Sequence, residues 1–183
     1  TGKARFRVER PSPARRESPD AYTTPAVARR EGKTEIVLTG GDVVTGHDPT
    51  TGKELWRDTG LNPEDEGNYR IIASPVAVGD IVVTPTRVRP MLAVRAFGLG
   101  DVKDTHVLWS FDRGPDVPTP TTDGTLLYIV TDKGILWCLD LQTGDGRVVQ
   151  ACAKGIGWCG TRVGPGETCN EAEDIYCEID DAN

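Results

Sequence analysis

No run of about 18 apolar residues occurs in the 183-residue chain, so the sequence predicts no membrane-crossing helix. Positive charge is in deficit: 21 Lys and Arg stand against 28 Asp and Glu, a formal net charge of −7. Phosphate recognition needs a basic face, and this balance excludes nucleic acid as the main ligand. Apolar residues at i, i+3 and i+4 are missing before residue 150, which excludes a helical repeat array there. Histidine is scarce, with only His47 and His106, far apart in sequence and without a patterned nucleophile or carboxylate partner. Each therefore reads as a solvated or structurally satisfied side chain rather than a general base. The chain opens at Thr1 with no initiator Met and no charged-then-apolar leader, so any secretion signal is expected upstream. What is present, 37% hydrophobic and 27% charged residues, is the balance of a globular protein.

Charge and cysteine are unevenly placed. Lys3, Arg5, Arg7, Arg10, Arg15, Arg16, Arg29 and Arg30 make the beginning basic, whereas Glu167, Glu171, Glu173, Asp174, Glu178, Asp180 and Asp181 make the end acidic. Two solvated faces account for this, with a partner-binding surface as the sharper alternative. Of the five cysteines only Cys138 precedes residue 150; Cys152, Cys159, Cys169 and Cys177 follow, and the odd total leaves at least one unpaired within the chain. The spacing of these four is longer than the ligand pairs of structural zinc sites.

The chain repeats itself. Thr24-Pro25-Ala26-Val27, Ser74-Pro75-Val76-Ala77 and Thr119-Pro120-Thr121-Thr122 are offset by 50 and then 45 residues. Behind them come Glu35-Ile36-Val37-Leu38-Thr39, Asp80-Ile81-Val82-Val83-Thr84 and Leu126-Leu127-Tyr128-Ile129-Val130-Thr131, β-branched or aromatic runs of strand length. Closing landmarks also recur: Thr1-Gly2-Lys3-Ala4-Arg5-Phe6, Thr51-Gly52-Lys53-Glu54-Leu55-Trp56, the strand around Trp109 and, more loosely, Thr143-Gly144-Asp145-Gly146-Arg147-Val148. The aromatic steps from Phe6 to Trp56 to Trp109 are 50 and 53 residues. Units of about 40–50 residues holding about four short strands have the period of propeller blades. The expected fold is all-β, a partial β-propeller of about three four-stranded blades at 23–57, 73–112 and 118–149, within a propeller region 1–149. A closing strand near 1–8 and a Pro- and Arg-rich loop at 9–22 precede the blades, and the middle blade carries an enlarged loop around Gly98, Gly100 and Asp101. At residue 150 the pattern stops, and 150–183 reads as an irregular Gly- and Cys-rich, then acidic tail, either disulfide-bonded or unrelated to the repeats.

The most specific string is Gly46-His47-Asp48-Pro49-Thr50-Thr51-Gly52-Lys53-Glu54-Leu55-Trp56. Asp48 suits the start of a tight turn, Pro49 presets φ, and Gly52 supplies a left-handed position. Trp56 is expected to pack where one blade meets the next, its indole N–H reaching a carbonyl. The string resembles the tryptophan-docking repeat of the quinoprotein alcohol dehydrogenase-like (PQQ-like) β-propellers, with Gly46 in place of the usual Ala and with Asp48, Thr51, Gly52, Lys53 and Trp56 as the docking residues. A second match, Asp140-Leu141-Gln142-Thr143-Gly144, has Val148 where the Trp would stand. The resembled family holds dehydrogenases that carry pyrroloquinoline quinone as well as non-enzymatic outer-membrane assembly propellers, and the repeat is common to both.

The resemblance implies, for a quinone-dependent dehydrogenase, a neighbouring Cys-Cys disulfide, a Ca²⁺ site and an Asp base; no Cys-Cys dipeptide occurs. Asp42, Asp80, Asp123 and Asp132 sit beside Gly or in turns and read as servants of the backbone. Ser74 and Ser110 lack a nucleophile-elbow setting, and Gly98-Leu99-Gly100 reads as a flexible turn rather than a dinucleotide loop. No catalytic, cofactor-binding or metal residue is assigned. Arg87, Arg89, Arg95 and His106 form the candidate binding loop of the middle blade, with edge protection as the plainer role for the arginines. The expectation is a section of a periplasmic or secreted propeller that binds or scaffolds, its partners being proteins or further blades. The alternative is a section of a quinoprotein dehydrogenase, with pyrroloquinoline quinone and Ca²⁺ as cofactors and its catalytic residues elsewhere. With so few blades, apolar blade faces are expected to stay uncovered, so the chain is expected to be either poorly stable or self-associating.

Overall fold

The structure, a computed structural model, describes residues 2–86 and 90–149. Its strands are β1 (Ala26–Arg30), β2 (Lys33–Gly40), β3 (Val43–His47), β4 (Glu54–Asp58), β5 (Val76–Val78), β6 (Ile81–Thr84), β7 (Met91–Arg95), β8 (Gly100–Asp101), β9 (Val107–Phe111), β10 (Thr121–Thr122), β11 (Leu126–Val130), β12 (Leu136–Asp140) and β13 (Gly146–Val149). Among the described residues there is no helix. The strands form three antiparallel meanders, β1-β2-β3-β4, β5-β6-β7-β9 and β10-β11-β12-β13, and β8 joins the first by pairing parallel to β4. Successive four-stranded meanders packed face to face are propeller blades. The tail 150–183, with its four cysteines, and Arg87 and Arg89 lie outside the described residues.

Burial explains why the middle blade reads as unbroken apolar runs. In β6 and β7 alternate side chains point to opposite faces. Val82, Leu92 and Val94 enter one core with Ala28, Val37, Val44 and Trp56 of the first blade. Their neighbours Ile81, Val83, Met91 and Ala93 enter a second core with Leu127, Ile129 and Leu139 of the third. Both faces of the middle sheet are therefore covered. In β11, by contrast, Leu127 and Ile129 are buried while Leu126, Tyr128 and Val130 are half-exposed, as expected for a sheet packed on one face.

The repeated Thr/Ser-Pro opener does a defined job. Thr24 N–H donates to Ser74 Oγ (2.8 Å), and Ser74 N–H donates to Thr119 Oγ1 (3.0 Å). The backbones of the first two openers are thus each held by the hydroxyl of the next, and the following proline presets the entry to the inner strand. A hydroxyl at this position is required twice over, which explains why Thr and Ser interchange there.

Residues 2–8 are not a strand, contrary to the sequence expectation: no neighbouring strand offers them a ladder among the described residues. Their register with the other closing segments is nonetheless real, because Phe6 packs onto Gly52, where an added Cβ would lie 2.6 Å from Phe6 Cε2. The loop 9–22 then folds over the first blade and the connector behind it. Arg10 donates from Nε to Thr45 Oγ1 (2.6 Å), from Nη1 to Gly40 O (2.8 Å) and from Nη2 to Val43 O (2.7 Å). Burial lowers its pKa to about 10. Ser18, fully buried, donates its hydroxyl to Glu66 O and accepts from Tyr69 N–H. Arg15 pairs with Asp65 (2.7 Å) of the β4–β5 connection, and Arg70 of that connection pairs with Glu17 (2.9 Å), so ion pairs of both senses tie the loop 9–22 to it.

Candidate functional site at the seam between the first two blades

The β3–β4 turn is built as its sequence demands. Asp48 Oδ1 accepts from Thr50 N–H (2.9 Å), Thr51 N–H (2.7 Å) and the Thr51 hydroxyl (2.8 Å), and these donors hold its carboxyl below the usual carboxylate range. Gly52 takes φ of 76°, and its N–H closes the turn on Asp48 O, while Lys53 O receives Asp48 N–H (both 2.9 Å). His47 is buried rather than solvated: Nδ1 lies 2.9 Å from Gly52 O and Nε2 2.8 Å from Thr45 Oγ1. A carbonyl can only accept, so Nδ1 carries the proton, and the ring is tied down as part of the turn.

Trp56 leaves this turn on β4 and is fully buried in the core shared by the first two blades. Its indole N–H finds a carboxylate rather than the expected carbonyl: Nε1 donates to Glu35 Oε2 at 2.7 Å. The same oxygen accepts from Phe97 N–H of the middle blade at 3.1 Å. One buried oxygen therefore binds both blades. The ring lies over its cross-strand partner Gly46, where an added Cβ would fall on Nε1 and Cε2 of the indole. This is why Gly replaces the usual Ala here. Trp109 packs otherwise, reaching into the next blade: it donates to Leu141 O (3.0 Å) and lies over Gly144 of the β12–β13 turn, where a Cβ would be 2.6 Å from Cδ2, as Phe6 lies over Gly52.

The middle blade departs from the pattern at its own outer turn, and a spacing in the sequence marks the departure. Asp101 precedes Trp109 by the same eight residues that separate Asp48 from Trp56. Asp101 Oδ1 accepts from Lys103 N–H (3.1 Å), but Thr105 stands where Gly52 would be. Blade one passes directly from β3 to Asp48, whereas Ala96-Phe97-Gly98-Leu99-Gly100 intervene between β7 and Asp101. This insertion is a clasp and not a flexible turn: it carries β8, which pairs Gly100 with Trp56 and Asp101 with Arg57. Phe97 sits at φ of 65°, an uncommon conformation for an aromatic residue, with the Arg30 guanidinium 4.8 Å from its ring centroid.

Around the clasp, Asp80 Oδ2 receives Arg95 Nη1 (2.9 Å) and Arg30 Nη1 (3.3 Å). Arg95 N–H donates to His106 O (2.8 Å), and His106 Nε2 lies 3.1 Å from where a Cβ on Gly98 would stand. Arg95 and His106 are thus brought together. Arg87 and Arg89, the other two residues of the candidate binding loop, lie outside the described residues. Asp80 is an ion-pair partner as well as a turn residue. Asp123 and Asp132 serve the backbone as expected, Asp123 accepting from Thr125 and Leu126 N–H and Asp132 from Asp116 and Val117 N–H. Asp42, at φ of 66°, and Asp58 are buried, and desolvation raises both carboxyls. Among the described residues no cluster of His, Cys, Asp and Glu is arranged to hold a metal ion.

A family profile described as outer membrane protein assembly factor BamB matches residues 1–149. The chain belongs to the BamB family. The match runs to the end of β13, so the family assignment covers all three blades and the segment before them. Similar solved structures include BamB from Moraxella catarrhalis, 13% identical over 69% of this chain with a TM-score of 0.47. The N-terminal domain of Nup159 is 16% identical over 74%, also with a TM-score of 0.47. This chain spans 39% and 36% of the length of those two structures. No curated protein matches it.

Proposed function

We propose that this chain is a section of a periplasmic or secreted β-propeller that binds or scaffolds other proteins. The family match over residues 1–149 carries the reading, because the family's description names an assembly factor, whose work is done on other proteins. The chemistry of the described loops supports it. His47, Asp48, Asp123 and Asp132 spend their polar atoms on the backbone or on neighbouring side chains, and Asp80 is held between two guanidiniums. A rigid scaffold presenting satisfied turns and a few exposed loops suits recognition. The test is crosslinking of the tagged full-length protein in intact cells, followed by fractionation of the envelope. A discrete protein adduct in the extracytoplasmic fraction is expected. In parallel the purified protein is titrated with pyrroloquinoline quinone and Ca²⁺ and supplied with alcohols or sugars. Saturable binding with dye reduction would overturn the reading in favour of a quinoprotein dehydrogenase.

A further inference from the structure

The clasp presents an apolar side chain to water on a fixed backbone. Leu99 is 83% exposed, yet the residues on either side are anchored: Phe97 N–H to Glu35, and Gly100 to Trp56 through β8. Val107, 37% exposed, follows His106, whose ring lies against Gly98 on the same loop. A single exposed Leu needs no explanation, but one held in place loses little freedom on docking and makes an effective anchor. The surroundings are cationic. Lys33, paired with Arg30 across the β1–β2 hairpin, is exposed, and the Arg30 and Arg95 side chains are 37% and 45% exposed, sharing the one carboxylate of Asp80. Glu31 is the acidic side chain of the β1–β2 turn, Asp101 turns away to the Thr59 hydroxyl at 3.2 Å, and Asp104, exposed on the same loop, stands near Asp58. Among the described residues β8 is also the edge of its sheet, with no strand paired on its far side, and an extended chain can follow such an edge.

We propose that this rim, formed by Leu99 and Val107 with Arg30, Lys33 and Arg95, docks an extended acidic segment of a partner protein that lays an apolar side chain on Leu99. The inference rests on the protein-binding reading and deepens it. The cationic surplus selects carboxylates and speeds encounter, while the anchored leucine supplies a dry contact that salt does not screen.

The test is selection of a display library of random dodecapeptides against the purified chain, then anisotropy titration of the enriched peptides, synthesised with a fluorescent label. Peptides rich in Asp and Glu with an apolar residue are expected. Their affinity should fall about tenfold with Leu99→Ser and about tenfold with Arg95→Gln, at an unchanged melting temperature. Enriched peptides that bind both variants like the parent would overturn this surface while leaving the binding-module reading intact. Failure to enrich any peptide would count against both. Phosphatidylglycerol vesicles form a separate arm: retention of the chain on them, lost with the same substitutions, would reassign the rim to a membrane surface and overturn the protein partner.

Discussion

Gly46→Ala restores the residue usual in the resembled repeat, and consensus changes commonly stabilise a protein by about 0.5–2 kcal/mol. Here the structure requires the opposite. Gly46 carries no positive-φ strain that a methyl group would expose, so the effect is steric. The new Cβ would lie on Nε1 and Cε2 of Trp56 and 2.7 Å from Cζ2. The indole cannot swing aside freely, because it is fully buried and its N–H is fixed on Glu35 Oε2. Overpacking of a filled core costs about 1–3 kcal/mol, and giving up a hydrogen bond to a carboxylate costs about 1.5–3 kcal/mol. Because yielding in one relieves the other, the expected loss is about 2–4 kcal/mol, or a fall in Tm of roughly 5–15 °C. Thermal and urea unfolding followed by circular dichroism measure it. Gly134→Ala is the control, since a Cβ there meets nothing within 4 Å and only its φ of 74° is strained. Combining Gly46→Ala with Trp56→Phe should recover part of the loss, because the smaller ring vacates the contested space. A Gly46→Ala protein as stable as the parent, or more so, would show that the indole does not occupy this position.

Trp56→Ala removes the largest side chain of the core between the first two blades and should cost about 3–5 kcal/mol; a variant melting with the parent would contradict its burial. Glu35→Leu leaves the Trp56 and Phe97 N–H groups without their acceptor and should cost about 2–4 kcal/mol, with amide exchange at Phe97 rising more than at Val83 in the second core. Asp58 has its carboxyl raised by burial, so its ionised form destabilises the fold, and stability from this group falls as pH climbs from the ordinary carboxylate range through the raised folded value. Asp58→Asn should therefore be more stable than the parent at neutral pH and flatter across that window, as read by urea unfolding at several pH values. Asp48 acts in the reverse sense, its lowered carboxyl adding stability above the unfolded value that is lost on acidification; Asp48→Ala should lose that part of the acid dependence.

Local physics made much of this protein legible in its sequence. Asp48, Thr51 and Gly52 sit within a few residues of one another and need only each other to form their turn, so the string predicts its own hydrogen bonds. The three blades follow from strand-length apolar runs repeated at blade period, with strands found at 26–58, 76–111 and 121–149 against the expected 23–57, 73–112 and 118–149. What lies across a seam was not legible. Glu35 and Phe97 are 62 residues apart, and nothing near either one announces that a buried carboxylate will bind Trp56 and a backbone amide together. His47, read as solvated or structurally satisfied, is the latter, but its partners could not be named because a carbonyl and a hydroxyl leave no residue-type pattern. Of the candidate binding loop, Arg95 and His106 are brought together by Arg95 N–H on His106 O, a backbone contact that no pairing of residue types announces. Asp101 could have been found, since its spacing to Trp109 equals that of Asp48 to Trp56. The sequence by itself determined the blades and their turns, because those depend on periodicity and on contacts a few residues long. Only the tertiary structure decided which side chains share the seam, because a propeller brings residues together one blade period apart, where geometry selects the partner and chain order does not.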